Sequence, residues 1–256
     1  MGFVPKGVMQ RIVVPLPSID EQHAIAAALG DMDALLGSLE RLIAKKRDLK
    51  QATMQQLLTG QTRLPGFAGE WETKRLGDIC AFTIGRTPSR MKGSFWGKGH
   101  KWISIGDLHG KWISKSHEEI TDEAAVQMSV IPKGTLLMSF KLSLGRLAFA
   151  GCDLFTNEAI CALRDPNADP EYLYYQLGRT DFSLYGKQAV KGYTLNSESL
   201  RSIELRLPHR FEQAAIATIL SDLDATLTAL ASRRTKTAAL KQAMMQSLLT
   251  GRIRLV

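Results

Sequence analysis

The sequence lacks the motifs by which enzymes of nucleotide, peptide and ester chemistry are commonly recognised. It contains no GxxxxGK[ST] phosphate loop, no GxGxxG segment that opens a helix and no NPPY-type segment of an amino-methyltransferase. HExxH, HxxEH and GxSxG are also absent, and the five histidines are scattered. The missing motifs therefore argue against a stand-alone enzyme.

Cysteine and long apolar runs are scarce as well. Cys80, Cys152 and Cys161 lie far apart without CxxC spacing, which indicates neither a zinc site nor a disulfide framework. We expect buried free thiols in a reducing cytoplasm. No apolar run approaches the ~18 residues of a membrane span, and the N-terminus has no apolar core of signal-peptide length. The sequence thus predicts a cytoplasmic protein without a membrane segment.

The charge balance is basic. The chain of 256 residues has 33 lysines and arginines against 25 acidic residues, a net charge of +8. Such an excess favours an anionic partner, with nucleic acid as the first candidate. Many basic proteins bind no nucleic acid, so charge alone does not decide the function.

One segment of the chain occurs twice. The stretch KQATMQQLLTG at residues 50–60 returns as KQAMMQSLLTG at residues 241–251. The likeness extends over residues 16–64, which align without a gap with residues 207–255; 26 of the 49 pairs are identical. A repeat of this length indicates duplication of one structural unit.

Each copy has the pattern of one long helix. Apolar residues recur at alternating spacings of four and three, which is the a/d seam of a heptad repeat. Pro17 and Pro208 precede the helices, while Gly60 and Gly251 follow them as stop signals. The predicted seam residues are Ile25, Leu29, Met32, Leu36, Leu39, Ile43, Ile216, Leu220, Leu223, Leu227 and Leu230.

The two helices offer each other a partner for their apolar stripes. A helix over residues 20–58 would be about 58 Å long at 1.5 Å per residue. Because the chain leaves the first helix and returns to the second, we expect an antiparallel coiled coil, with Leu29 and Leu36 against the seam of residues 220–227. Two ordinary core helices of a compact domain are the alternative.

The segment between the repeats differs in composition and pattern: it contains tryptophan, glycine and short apolar runs. EYLYYQLG (171–178) predicts a short helix that Gly178 ends. Short strands are predicted at KWISIG (101–106), TLLMSF (135–140), RLAFA (146–150) and AICAL (159–163). The predicted fold class is α+β: one mixed α/β globule flanked by two long helices that form an antiparallel coiled coil.

The first residues align with the end of that globule. RIVVPLP at residues 11–17 stands at the same offset as SIELRLP at residues 202–208, which closes the globule and leads into the second helix. We therefore expect the N-terminus to be the tail of another such globule.

Motifs along essentially the whole chain resemble the specificity subunit of type I restriction–modification enzymes. Both helices begin with the family's "LP…EQ…IA…L…D…D" pattern and end with "K…MQ.LLTG..RL". Between them GEWETKRLGDI, GRTPS, FWGKGHKWISIGDL, IPKGTLLMSF, TNEAICAL and YLYYQL follow in the family's order. The chain departs from the usual member, which has two recognition domains, because it carries only one.

The resemblance implies four segments. Residues 1–19 are expected to be the tail of a missing or partial recognition domain, and residues 20–60 the first repeat helix. Residues 61–208 are expected to form the target-recognition domain, and residues 209–256 the second repeat helix. The chain would then be a single-recognition-domain or truncated specificity subunit.

The resemblance also implies a function. Such a subunit is non-catalytic; it would read one DNA half-site and dock methyltransferase subunits through the repeat helices. The implied partners are double-stranded DNA, methyltransferase subunits, restriction–translocase subunits and a second specificity chain, which could be a second copy. S-adenosylmethionine, ATP and magnesium are expected on the partner subunits, with no cofactor and no metal site in this chain.

Basic residues beside aromatic residues and glycines mark the candidate DNA contacts. Lysine and arginine supply phosphate charge or guanine contacts, and glycine permits close approach of the backbone. A solvated surface charge is the alternative for each of them. The candidates are Lys92, Lys98, His100, Lys101 and Ser104; Lys141, Ser143 and Arg146 in the predicted turn SFKLSLGRL; and Lys187, Lys191 and Tyr193.

A second function stays open at this stage. A truncated specificity subunit could act as an interaction or regulatory protein that needs a second chain to read DNA. DNA binding by the isolated chain, compared with binding after methyltransferase is added, distinguishes the two functions.

Overall fold

The fold is taken from a computed structural model. It describes residues 7, 16–141, 143–189 and 192–255, and for residues 187–189 and 192–194 it describes the backbone. The predicted N-terminal tail of residues 1–19 lies almost entirely outside the described residues.

The chain forms two compact units. The helical unit comprises residues 1–51 together with residues 222–256, and the globular unit comprises residues 52–221. Each long helix contributes to both units.

The two long helices are α1 (Ile19–Leu57) and α6 (Arg210–Leu248), each of 39 residues. Their beginnings are built alike, because Gln22 donates to the carbonyl of Pro17 at 2.9 Å and its repeat equivalent Gln213 donates to that of Pro208 at 2.8 Å. Gly60 and Gly251 follow the helices with φ of +73° and +72°, a left-handed conformation that favours glycine. The repeated sequence thus folds twice in the same way.

Three ion pairs fix the direction of the helices within the helical unit. Asp33 binds Lys241 at 2.5 Å, Glu40 binds Arg234 at 2.6 Å, and Lys50 binds Asp224 at 2.5 Å. As the residue number rises along α1, the number of its partner on α6 falls by the same amount. The two helices are therefore antiparallel. The predicted direction is therefore confirmed.

The register predicted for that pair is wrong. Because Asp33 lies beside Lys241, Leu29 and Leu36 lie at the level of residues 238–245 and not of residues 220–227. The two helices overlap along their length, so the beginning of one lies beside the end of the other.

The predicted seam residues are covered to different degrees. Ile25, Leu39, Ile43, Ile216 and Leu220 are buried. The other six are half-buried: Leu29, Met32, Leu36, Leu223, Leu227 and Leu230. None of the eleven is exposed, as an apolar stripe between paired helices requires.

Short elements make up the globular unit. Its helices are α2 (Leu76–Ile79), α3 (Asp122–Ala125), α4 (Pro170–Gly178) and α5 (Ser197–Arg201). Short 3-10 turns lie at Gly93–Phe95, Ile105–Asp107 and Phe182–Leu184. Its strands are β1 (Glu72–Arg75), β2 (Ala81–Ile84), β3 (Trp96–Ile103), β4 (Trp112–Ile113), β5 (Glu118–Ile120), β6 (Leu136–Ser139), β7 (Leu147–Ala150), β8 (Phe155–Thr156), β9 (Ile160–Arg164), β10 (Lys187–Ala189), β11 (Gly192–Thr194) and β12 (Glu204–Leu207).

The strands form one larger sheet and three small ones. The five-stranded sheet has the order β2-β9-β6-β7-β4, in which only β4 runs parallel to its neighbour. A second sheet has the order β5-β3-β8, and two pairs, β1-β12 and β10-β11, complete the unit. The central strand β6 is buried throughout, so both faces of the larger sheet are covered.

Helix α6 is long and apolar enough to cross a membrane by length and composition alone. It nevertheless carries Asp222 and Asp224 in its first half, and Asp224 pairs with Lys50. Charged carboxylates are costly in hydrocarbon. The ion pairs therefore fit a helix that packs against α1 better than one that spans a bilayer.

The cysteines are free thiols among the described residues. Cys80 and Cys161 are buried, and burial raises the pKa of Cys80 to about 12. Such a thiol is protonated and unreactive at neutral pH.

Candidate nucleic-acid interface

Several loops leave the five-stranded sheet at the same end. The antiparallel register places the end of β2 at Ile84 opposite Cys161, and the end of β6 at Ser139 opposite Ile160. The beginning of β7 at Leu147 lies opposite Met138. The connecting segments therefore meet at one end of the sheet. We call residues 85–90, 140–141, 143–146 and 157–159 the loop edge.

Backbone hydrogen bonds hold the loop edge together. Arg86 N donates to the carbonyl of Thr156 at 2.8 Å, and Phe140 N donates to that of Ala159 at 3.0 Å. Gly85 is required here, because a Cβ on it would lie 2.2 Å from the carbonyl oxygen of Thr156. The loops are thus fixed relative to one another before any ligand arrives.

The turn between β6 and β7 carries three of the predicted contacts, Lys141, Ser143 and Arg146. Buried Ser139 staples this turn: its Oγ accepts from Arg146 N at 3.0 Å and donates to the carbonyl of Ser143. Arg146 is exposed and Lys141 is half-buried. Within the described residues, neither has an acidic side chain in an ion pair, so both charges are available to phosphate.

The β10–β11 hairpin adjoins the same turn. Leu195 N, just after β11, donates to the carbonyl of Phe140 at 3.0 Å. The strand register places Lys187 opposite Thr194 and Gln188 opposite Tyr193. Lys191 lies outside the described residues. The fold therefore brings the second and third predicted clusters to one region of the globular unit.

The first predicted cluster has a different setting. Lys92 pairs with Glu123, Lys101 pairs with Glu119, and His100 lies 2.7 Å from Asp122. The hydrogen bond from Lys101 is the main cause that lowers the pKa of Glu119, and that from Lys92 does the same for Glu123. The charges of Lys92 and Lys101 are already balanced by acidic residues of α3 and β5, so they offer less to an incoming phosphate.

Two polar side chains, those of the predicted contact Ser104 and of Asn157, support their own loops. Ser104 donates through both its N and its Oγ to Asp107 Oδ2, at 2.8 and 2.7 Å. Asn157 Oδ1 accepts from Ala159 N at 3.2 Å. Both side chains shape backbone turns in this structure.

A cavity of about 460 Å³ adds residues that the sequence did not single out. His109, Trp112, Lys115 and His117 line it together with Asp107, which His117 contacts through its ring and its backbone N–H. Burial alone would raise the pKa of Asp107, but hydrogen bonds from Ser104 and His117 bring it below its ordinary value. The residues that line this cavity form no recognisable motif in the sequence, and only the fold brings them together. No sequence signal therefore marked them. Among the described residues, no group of three or more histidine, cysteine or acidic side chains could hold a metal ion.

The family model described as "Type I restriction modification DNA specificity domain" matches residues 68–241. The chain belongs to this family. Its match covers nearly all of the globular unit and most of α6, so the resemblance drawn from the sequence motifs is confirmed.

Members of the specificity-domain family with curated names show the same relationship. The type I restriction enzyme MjaIX specificity subunit of Methanocaldococcus jannaschii is 32% identical over 164 residues, which are 60% of this chain and 38% of that protein. The putative MjaX specificity subunit of the same organism is 25% identical over 267 residues, 96% of this chain and 60% of that protein. This chain thus spans less than two thirds of the relatives that it matches.

A solved member shares the fold. The crystal structure of the HsdS subunit from Thermoanaerobacter tengcongensis superposes with a TM-score of 0.60 at 22% identity, over 94% of this chain and 61% of that one. The predicted fold class, a mixed α/β domain with long flanking helices, is therefore confirmed.

Proposed function

We propose that this chain is a non-catalytic DNA-recognition and scaffold subunit of a type I restriction–modification system. Its globular unit reads one half-site of double-stranded DNA, and its long helices dock methyltransferase subunits. The observation that carries the proposal is the loop edge, where a stapled turn presents Lys141 and Arg146 without acidic partners on a domain of the specificity family.

The chemistry of the loop edge suits DNA. Unbalanced cations supply affinity and register through phosphate, and loops on a rigid sheet supply the side chains that read base edges. Methylation, ATP hydrolysis and cleavage require S-adenosylmethionine, ATP and magnesium, which we assign to methyltransferase and restriction–translocase subunits. We place the whole complex in the cytoplasm, where its DNA substrate is.

Exposed leucines at equivalent positions of the repeat support methyltransferase docking. Leu49 of α1 is 48% exposed, and its equivalent Leu240 of α6 is 55% exposed. An apolar residue that the duplication keeps on the outside of both helices suits a partner that binds each repeat in the same way. Leu49→Asp and Leu240→Asp should each weaken methyltransferase binding in a pull-down while leaving the melting temperature unchanged.

The repeat also supports pairing with a second specificity chain. In the globular unit Leu58 and Leu207 are 0% and 5% exposed, because the recognition domain covers them. Their equivalents in the helical unit, Leu249 and Leu16, are 51% and 81% exposed. A second recognition domain, carried by another specificity chain, would cover these two leucines as the first covers Leu58 and Leu207.

The test is DNA binding by the chain with and without methyltransferase. The proposed function predicts sequence-specific binding by the assembled methyltransferase, lost when Lys141 and Arg146 are both replaced by alanine. The alternative function, a regulatory specificity chain, predicts methyltransferase binding with sequence-specific DNA binding only after a second specificity chain is added. A complex that methylates its sites normally with both replacements would contradict the assignment of the loop edge.

A further inference from the structure

One acidic residue stands on the loop edge among the cations. Glu158 is exposed and lies between Asn157 and the beginning of β9. Its Oε2 accepts a hydrogen bond from the hydroxyl of Thr87, which lies in the loop after β2. The carboxylate is therefore held between two loops and is not a freely rotating surface charge.

The carboxylate of Glu158 is ionised at neutral pH. The hydrogen bond from Thr87 is the main cause that lowers its pKa, burial acts in the opposite direction, and the charges of Lys141 and Arg90 lower the pKa further. Neither cation forms an ion pair with it: Arg90 pairs with Glu118 instead. A backbone hydrogen bond within Glu158 itself also lowers this pKa.

A negative charge on a DNA-facing surface needs a chemical reason. Phosphate oxygens offer no hydrogen-bond donor, so a carboxylate beside them is repelled. In the major groove, however, cytosine N4 and adenine N6 present amino groups that donate to a carboxylate, and glutamate or aspartate is the usual acceptor for cytosine N4. An exposed carboxylate that is held in place through Oε2 has the form of such an acceptor.

We infer that Glu158 is a specificity-determining residue that accepts a hydrogen bond from the exocyclic amino group of one base of the half-site, cytosine N4 in the first instance. This inference rests on the proposed function, since it needs the loop edge to face DNA. Thr87 acts as a positioning residue, because its hydroxyl holds the carboxylate through Oε2.

The decisive variant is Glu158→Gln. Its carboxamide oxygen can still accept from Thr87, so the loop is preserved, but an NH₂ donor replaces the second carboxylate oxygen. Such a donor cannot bind a base amino group, but it can donate to thymine O4 or guanine O6. Glu70→Gln is the matched control, because it removes the same charge from an exposed position in the linker before β1.

The measurement is the affinity of the assembled methyltransferase for duplexes that carry each base pair in turn at every position of its methylated half-site. For Glu158→Gln we expect roughly a tenfold to hundredfold loss for cytosine (or adenine) at one position, with the other positions read as before. Thr87→Val should reduce discrimination at that same position without changing the net charge. Glu70→Gln should change no preference.

Two outcomes distinguish a failure of the inference about Glu158 from a failure of the proposed function. If Glu158→Gln only tightens binding to all duplexes alike, as loss of a repelling charge would, while Lys141→Ala still weakens it, the inference about Glu158 is wrong and the proposed function stands. If Lys141→Ala and Arg146→Ala leave every affinity unchanged, the loop edge does not face DNA and both are wrong.

Discussion

Arg63 donates to both carboxylate oxygens of Glu212, through Nε and Nη2, at 2.6 Å each. The duplication repeats this pair, because the equivalent residues Arg254 and Glu21 make the same two-pronged contact in the helical unit. A bidentate arginine–carboxylate pair fixes geometry as well as charge. Each repeat thus ties the segment after one helix to the beginning of the other.

The pair of Arg63 and Glu212 predicts unequal losses of stability. The side chain of Glu212 is 1% exposed, whereas that of Arg63 is 27% exposed. Arg63→Met leaves a buried carboxylate without its partner, while Glu212→Gln leaves an arginine that can still reach water. We expect Arg63→Met to lower the melting temperature by several degrees and Glu212→Gln by less. Thermal unfolding followed by circular dichroism checks the order, and the reverse order would contradict the burial argument.

Acid should destabilise the globular unit through Asp107. Its folded pKa lies below its ordinary value of 3.8, so its stabilising contribution is complete above that value and is lost as the pH falls through the folded pKa. The free energy of unfolding of the parent should therefore fall more steeply below about pH 4 than that of Asp107→Asn. Urea denaturation between pH 3 and pH 6 measures the difference. Parallel curves for the two proteins would remove Asp107 from the acid response.

A charge buried between the long helices should unfold their pairing. Ile43 is 6% exposed in the helical unit, whereas its neighbour Leu42 is 40% exposed. Ile43→Asp should cost about 3–5 kcal/mol, since it buries an unpaired carboxylate, and Leu42→Asp should cost much less. Chemical denaturation of the two variants provides the comparison. Equal losses of unfolding free energy in the two variants would mean that the buried seam does not stabilise the helix pair.

Phosphate contacts should be visible in the salt dependence of DNA binding. Lys141→Ala and Arg146→Ala should weaken binding to all sequences, and each should reduce the slope of log affinity against log salt by about one unit. Lys92→Ala is the control, because Glu123 already balances its charge. We expect the control to change the slope by much less. A larger change of the slope for Lys92→Ala than for Lys141→Ala would contradict our assignment of the phosphate contacts to the loop edge.

The observed register allows a test of the helices as a spacer between two recognition domains. Residues 33–39 lie opposite residues 235–241, so removing both segments shortens the pair by about 10 Å without breaking its register. In an assembly with two recognition domains, the preferred spacer should shrink by about three base pairs while the half-sites stay the same. Methylome sequencing detects this shift. An unchanged spacer with activity retained would show that the length of the helices does not set the spacer.

A mismatched deletion serves as its control. Residues 33–39 do not lie opposite residues 224–230, and removing these two segments deletes Asp33 and Asp224 and displaces Glu40 from Arg234. The three ion pairs that Asp33, Glu40 and Lys50 make between the two helices are then lost. We expect this variant to melt below the matched deletion, although the same number of residues is removed.

The sequence predicted the long helices well because their signals are local. Residues 20–58 were expected for the first helix and Ile19–Leu57 is observed, since proline before a helix and glycine after it act within a few residues. The expected strand at residues 159–163 is observed as Ile160–Arg164, for a similar reason: a short apolar run between turns. Gly30 and Gly37 weaken the first helix locally, yet packing keeps it continuous.

The site was less predictable because its decisive contacts are distant in sequence. The pairing of Lys92 with Glu123 spans 31 residues and that of Lys101 with Glu119 spans 18. No local pattern reveals that these lysines are in ion pairs while Lys141 and Arg146 are not. Glu158 escaped notice for the same reason, since its partner Thr87 is 71 residues away. The division of the chain into four segments, which the motifs indicate, remains a prediction.

The near-identity of the two repeats has a consequence for how chains can exchange parts. An α1 helix of one copy could meet the α1 helix of another in the observed register and keep the equivalents of the Asp33–Lys241 and Arg254–Glu21 pairs, namely Asp33 with Lys50 and Glu21 with Arg63. Only Glu40 would lose its partner, because Ile43 stands where α6 has Arg234. An exposed ion pair of this kind contributes at most about 1 kcal/mol. Covalent connection through the globular unit, which keeps the two helices at high effective concentration, therefore does most to prevent domain swapping between copies.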